Sequence, residues 1–449
     1  MSTLFAFILA IGILISFHEF GHFWVARKTG VKVLRFSVGF GRVIWSYRSK
    51  TTATEYVLSA IPLGGYVKMV DERESDVAAE DLPFAFNRQP LWKRSAIVAA
   101  GPIANLLLAV ALFWGVLMLG ESGLKPVVGD IAPETLAAQA GFSAGQTIQA
   151  VDGQNTRLWS EAMELIFASV MEGRVVAVNV DSGGTLQTLT LAVPDHLRDQ
   201  PEQLYQSLGL KPWLPELKPV IGQLIPGEAA QQAGLNTGDL IVAANAQNIH
   251  SWNAWVALIR AHPGKPLQVV YERQGVRQQT TLTPAAVHND QQQLEGRIGA
   301  GVQVPEDLLQ SMQITVSSTP LEALSKALQR TVFYSSATLN MLGQMLIGQA
   351  SVKNLSGPIS IAQFAGISAE QGLNAFLSFL AKVSISLGIL NLLPIPILDG
   401  GHLAFYAIEA LRGKPVPEAW QLYLQQIGIF MLLGLMLLAT YLDIGRLLN

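Results

Sequence analysis

Residues 4–26 read LFAFILAIGILISFHEFGHFWVA. The stretch is apolar and long enough to span a bilayer, which takes about 20 residues. Its second half nevertheless carries His18, Glu19 and His22. Groups of this kind are costly in hydrocarbon unless they are partnered, and one cation is a partner that serves all three. His18 and His22 are four positions apart, so a helix puts them on one face. Two imidazoles at that spacing can grip one zinc ion. Glu19, beside the first of them, can take a proton from a metal-activated water.

Three further apolar spans follow, at 96–118, 375–393 and 427–445. The span at 375–393, third of the four, contains Lys382, Ser384, Ser386 and Asn391, and polar residues in a span usually face the bundle interior. Four helices place both termini on one side. Segment 28–95 holds eleven Lys and Arg, and the 394–426 link adds Arg412 and Lys414. The positive-inside bias puts both in the cytoplasm and the large 119–374 segment outside. The first span lacks a basic leader and a small-residue cleavage site, so it reads as a retained helix and not a signal peptide.

Composition agrees. The chain has 449 residues, 50% hydrophobic and 14% charged, as a membrane protein with substantial soluble parts would. A net charge of -3 makes no case for nucleic acid, and no Walker or GxGxxG stretch suggests a nucleotide. Cysteine is absent, so disulfides are excluded and any zinc must be held by His, Asp or Glu.

Between the first two spans, VLRFSVGFGRVIW and TEYVLSAIPLGGYVKM are β-rich and punctuated by Gly39, Gly41, Pro62, Gly64 and Gly65. They read as paired strands with tight turns. They are too apolar for an ordinary solvated hairpin. A re-entrant sheet beside the site is one reading, since non-helical backbone at membrane depth is tolerated when it is buried in protein or faces water. A hairpin resting on the bilayer is the other. The acidic stretch 71–90 reads as a mobile loop.

The outside segment contains a repeat. VVGDIAP at 127–133 matches VIGQLIP at 220–226, Ala140-Gly141-Phe142 matches Ala233-Gly234-Leu235, and Trp159 matches Trp252, all at an offset of 93. The pattern resembles a PDZ domain, a module that binds extended peptides along a sheet edge. Neither copy has the GLGF loop that captures a C-terminal carboxylate, so each copy is equally readable as a spacer or filter. Beyond the repeats, Thr319-Pro320 starts an amphipathic helix that reads either as lying along the membrane surface or as packed on the second repeat. Asn354-Leu355-Ser356-Gly357-Pro358 breaks the chain before the third span.

Two histidines leave a catalytic zinc one protein ligand short. The third span runs into NLLPIPILDGGH, residues 391–402. Asp399 stands where Pro394 and Pro396 break the helix and Gly400-Gly401 let the backbone turn. A carboxylate there has no evident structural reason. His402 is a rival ligand. Asn391 can donate to a substrate carbonyl or serve as a packing amide.

HEFGH in the first span and NLLPIPILDGG after the third resemble the site-2 protease family of intramembrane zinc metalloproteases. FSVGFG (36–41), GGYVKM (64–69), AAGPIAN (99–105) and SGPISIA (356–362) extend the resemblance over the whole chain. It implies a polytopic α-helical membrane protein: four transmembrane helices, a membrane-associated β-sheet and two inserted α/β PDZ-like domains. The expected division is 1–118, 119–215, 216–304, 305–374 and 375–449. The resemblance implies Zn2+ on His18, His22 and Asp399, Glu19 as general base, and Asn391 on the substrate. Gly39 and Gly41 are expected to let the sheet approach an extended substrate closely. Implied partners are single-span membrane proteins, notably an anti-sigma factor already trimmed by another protease, remnant signal peptides, peptide ligands of the PDZ-like pair, and lipid. The implied place is a bacterial inner membrane, with the PDZ-like pair in the periplasm, the site toward the cytoplasm and a role in envelope stress. Two other functions fit parts of the chain: a PDZ scaffold or chaperone with structural zinc, and a zinc transporter. The transporter needs polar clusters in more than the first and third spans.

Overall fold

A computed structural model describes residues 2–448 apart from 75, 172, 195–196, 198–200, 289–292, 306–307, 309–311 and 349–356. The chain forms two units, Met1–Glu121 with Thr315–Asn449, and Ser122–Ile314. Labels below run within the first unit: α1 (Ser2–Lys28), β1 (Val33–Arg48), β2 (Glu55–Met69), α2 (Leu91–Leu119), α3 (Pro320–Leu346), α4 (Pro358–Glu370), α5 (Leu373–Leu392), α6 (Asp399–Arg412) and α7 (Glu418–Leu448).

Four helices are long and apolar enough to cross a membrane: Thr3–Lys28, Leu91–Leu119, Leu373–Leu392 and Glu418–Arg446. Their outward faces stay apolar, with Phe5, Trp24, Leu107 and Phe430 all exposed, as expected of surfaces solvated by lipid. Inside, small residues bring backbones together. A Cβ on Gly21 of α1 would lie 2.3 Å from the Ala100 carbonyl oxygen of α2, so only glycine permits this approach. Ala109, Phe113 and Leu117 of α2 pack with Ala381, Ile385 and Ile389 of α5 and with Ala323 and Ala327 of α3. Part of the α3 surface thus packs on two spans, while Leu321, Leu328, Val332 and Leu339 stay exposed and leave an apolar face open. Thr319 and Pro320 do start the helix. Helix α4 was not foreseen. Asp443 of α7 caps it, accepting from the backbone N–H of Ile359 and Ser360 at 3.0 Å. The expected break at 354–356 lies outside the described residues.

Strands β1 and β2 pair with each other twice. Val33–Val38 is matched by Met69–Gly65 on one side and, from Arg35 on, by Glu55–Leu58 on the other. Val43–Arg48 then folds back along Ser59–Glu55. Residues 33–38 are therefore flanked on both sides, and the unpaired edge beside α1 belongs to 65–69. Gly39 and Gly41 have φ of +92° and +82° and make the bend between the two halves of β1. Among the described residues of 71–90 the chain is irregular, as expected, with two short 3-10 helices (Leu82–Phe84 and Phe86–Arg88) and the ion pairs Lys32–Asp81 at 2.6 Å and Arg88–Glu72 at 2.7 Å.

In the second unit, Thr147–Val151 and Val176–Ser182 are the central strands of one four-stranded sheet. Leu240–Ala244 and Leu267–Arg273 are those of another. Each sheet has its own core, the first around Ile148, Ile166 and Val178 and the second around Ile241, Trp255 and Val269.

Candidate active site

Helix α1 carries His18 and His22 one turn apart, and both rings face α2. Gly101 of α2 makes room for them: a Cβ there would lie 2.3 Å from His22 Nε2 and 2.8 Å from His18 Cε1. The third group arrives from far along the chain. Helix α5 ends at Leu392, and a short turn follows in which the Leu398 N–H donates to the Ile395 carbonyl at 2.9 Å. Asp399 is then the first residue of α6, where a carboxylate also meets the positive end of the helix dipole. The turn is tight enough that a Cβ on Gly400 would fall 2.2 Å from the Leu392 and Leu393 carbonyl oxygens, and one on Gly401 2.2 Å from that of Ile395. The pair Arg94–Glu409, at 2.6 Å, ties α6 to α2.

The result is a triangle of ligand atoms. His18 Nε2 to His22 Nε2 is 3.2 Å, His18 Nε2 to Asp399 Oδ2 is 3.1 Å, and His22 Nε2 to Asp399 Oδ2 is 3.6 Å. A tetrahedral zinc with bonds of about 2.0–2.1 Å has ligand–ligand edges of about 3.3 Å. The three distances bracket that value, so the donor set and its spacing fit zinc with one position left open. No other group of three or more His, Asp or Glu side chains converges in this way among the described residues. His402 is not part of it.

The remaining candidates are placed less tightly. Glu19 lies against the sheet edge: a Cβ on Gly65 would meet Glu19 Cγ at 2.9 Å and the Ser37 carbonyl oxygen at 2.8 Å. Gly39 faces the Ser59 and Ile61 carbonyl oxygens instead, each 2.9 Å from where its Cβ would be. The strand glycine nearest the acid is therefore Gly65, which the sequence left unassigned. Asn391 is half-buried near the end of α5 and has no side-chain hydrogen bond to the triangle among the described residues.

Outside the triangle, His22 Nδ1 donates to the Ile97 carbonyl at 2.8 Å, and His18 Nδ1 stands 3.2 Å from the Asn105 side-chain amide. Both Ile97 and Asn105 belong to α2. Asn105, like Gly101, sits in the AAGPIAN stretch, which the sequence marked only as part of the family resemblance, with no role for either residue.

Residues 6–435 match peptidase family M50. The chain is 44% identical to the regulator of sigma E protease of Salmonella typhi, over 98% of each chain. It is 43% identical to a putative zinc metalloprotease of Vibrio cholerae and 41% identical to the regulator of sigma-E protease RseP of Escherichia coli K12, again over 98% of each.

Proposed function

Because the chain belongs to peptidase family M50 and is a metalloprotease, we propose that it hydrolyses peptide bonds inside transmembrane segments, with zinc held by His18, His22 and Asp399. One observation carries this reading: helix α1 and the start of α6 bring three ligand atoms to tetrahedral spacing among helices apolar enough to span a bilayer. Zinc held there by His18, His22 and Asp399 would supply a Lewis acid for the scissile carbonyl and would bring the pKa of the attacking water to about 7. Glu19 accepts the proton of the attacking water on its carboxylate and delivers it to the leaving amide nitrogen. Asn391 donates its amide N–H to the substrate carbonyl. Residues 65–69 offer an open strand edge, so an unwound substrate segment pairs there, beside Glu19, and its backbone groups are not left unsatisfied. Gly39 and Gly41 keep a part in this by shaping the bend that holds the sheet in place.

The substrates are single-span membrane proteins, an anti-sigma factor after a first cut and remnant signal peptides among them. The PDZ-like pair, 119–215 and 216–304, screens them by the size of their outside portion. The place is a bacterial inner membrane with that pair in the periplasm. The names of the relatives and the basic 28–95 segment support this.

Zinc content and cleavage of one single-span substrate, measured on the same preparations, test the site. Glu19→Gln is expected to keep one zinc per chain and to lose about 10²–10⁴-fold in rate, the usual worth of a general base. Asp399→Asn is expected to lose metal and activity together, because a neutral amide is a poor zinc ligand. A fully active Glu19→Gln protein removes the mechanism. Zinc without cleavage in the unaltered chain points to the scaffold reading instead.

A further inference from the structure

The two histidines are held differently at the ring nitrogen that faces away from the triangle. His22 Nδ1 meets the Ile97 backbone carbonyl at 2.8 Å. A carbonyl only accepts, so His22 keeps its proton on Nδ1, and in the neutral ring its Nε2 lone pair faces the triangle. His18 Nδ1 meets the Asn105 side-chain amide at 3.2 Å, and an amide has both a donor and an acceptor end. In the orientation described, Asn105 Nδ2 faces the ring, while Asn105 Oδ1 is buried with no hydrogen-bond partner. The residue is 0% exposed, so no bulk water makes good that loss.

This arrangement suits His18 with its proton on Nε2, donating to Asp399 Oδ2 at 3.1 Å, and its Nδ1 accepting from Asn105. A metal on Nε2 requires the other tautomer, with the proton on Nδ1. Half a turn about the Asn105 Cβ–Cγ bond then presents the orphaned oxygen to that proton. The backbone of Asn105 stays put meanwhile, because its carbonyl accepts from Ser384 Oγ at 2.7 Å on α5.

We propose that Asn105 is a positioning residue whose reversible amide sets the tautomer of His18, serving the metal-free ring with its N–H and the metal-loaded ring with its oxygen. The proposal rests on the metal assignment made above and deepens it. Partners of this kind on metal-bound histidines are worth about 10–100-fold in metal affinity. An aspartate at 105 can only accept, so it favours the metal-loading tautomer. A leucine of similar size serves neither.

The test is zinc affinity of the purified full chain, by competition of zinc chloride against a chromophoric chelator. Asn105→Leu is expected to bind zinc about 10–100-fold more weakly than the unaltered chain, and Asn105→Asp at least as tightly. Equal affinity in all three overturns the proposal, and so does an equal loss in both variants, which marks a packing role. Should Asn105→Leu fail to fold, Asn105→Ala takes its place: a loss of about 10–100-fold, with Asn105→Asp at least as tight as the unaltered chain, supports the proposal, and affinity equal to the unaltered chain in both overturns it. If the unaltered chain itself binds no zinc, the metal assignment falls. If it binds zinc and the leucine variant matches it, only the role of Asn105 falls.

Discussion

Gly101 gives the sharpest perturbation of the site, because helix propensity and site geometry pull in opposite directions there. Gly101→Ala adds one methyl in the middle of α2, where alanine is intrinsically better than glycine by about 1 kcal/mol. On propensity alone the variant gains stability. The methyl carbon, however, would sit 2.3 Å from His22 Nε2, 2.6 Å from His22 Cε1 and 2.8 Å from His18 Cε1. Ordinary contacts are about 3.5 Å, so the rings must retreat by about 1 Å. Neither has easy room, since His22 is held at Nδ1 by Ile97 and His18 by Asn105. Misplacement by 1 Å is enough to cost about 10²-fold, or about 2.8 kcal/mol at 1.4 kcal/mol per decade. The expected outcome is a folded protein with unchanged helix content, whose zinc affinity and cleavage rate both drop about 100-fold and whose thermal midpoint is not raised, because overpacking of about 1–3 kcal/mol offsets the propensity gain. Circular dichroism, metal analysis and a cleavage assay on one preparation read all three. Full zinc and full cleavage in Gly101→Ala would refute the claim that the rings lie against this glycine.

The sheet and the second repeat provide further tests. Gly65→Ala pushes a methyl toward Glu19 and Ser37 and is expected to slow cleavage while zinc stays bound; loss of zinc instead would mean that the sheet supports the metal and not the base. If substrates pair as strands, versions with Gly, Pro or Asn near the scissile bond are cut faster than poly-Leu versions, and equal rates would exclude pairing on 65–69. In the second repeat, burial acts to raise the pKa of Asp239, but Arg273 at 2.7 Å and the Asn236 N–H at 2.7 Å outweigh it and leave it below the usual carboxylate range. The stabilisation from this pair is therefore complete above about pH 4 and fades as pH falls through the depressed value. The matching position of the first repeat is Gln146, an uncharged side chain. Hydrogen exchange on the intact chain, corrected for intrinsic rate, is expected to show 216–304 losing protection in acid before 119–215, and simultaneous loss would count against the pair.

Much of the site was legible in the sequence because its signals are local. Span length, the four-residue spacing of His18 and His22, and Asp399 set between prolines and glycines each lie within one short stretch. Long-range features were not legible. Asn105 and Gly101 gain meaning only when α2 lies against the second half of α1, which no spacing within α2 reveals. The two-sided pairing of 33–38 needs β1 to fold back at Gly39 and Gly41, so these glycines carry a bend that the sequence did not reveal. Helix α4 was hidden because its apolar run, cut by Gly357-Pro358, is too short to span and its anchor, Asp443, lies far downstream. The packing of α3 on two spans through Ala323 and Ala327 was not legible because amphipathicity does not distinguish lipid from a neighbouring span.

The central claim is that the triangle at His18, His22 and Asp399 cuts peptide bonds within a membrane-spanning segment. Mass mapping of the products from a single-span substrate, reconstituted in vesicles with the zinc-loaded protein, addresses it directly. The account predicts one main cut inside the apolar stretch of the substrate, absent with Glu19→Gln. A cut confined to the soluble flanks, or an unchanged cut with Glu19→Gln, would contradict it.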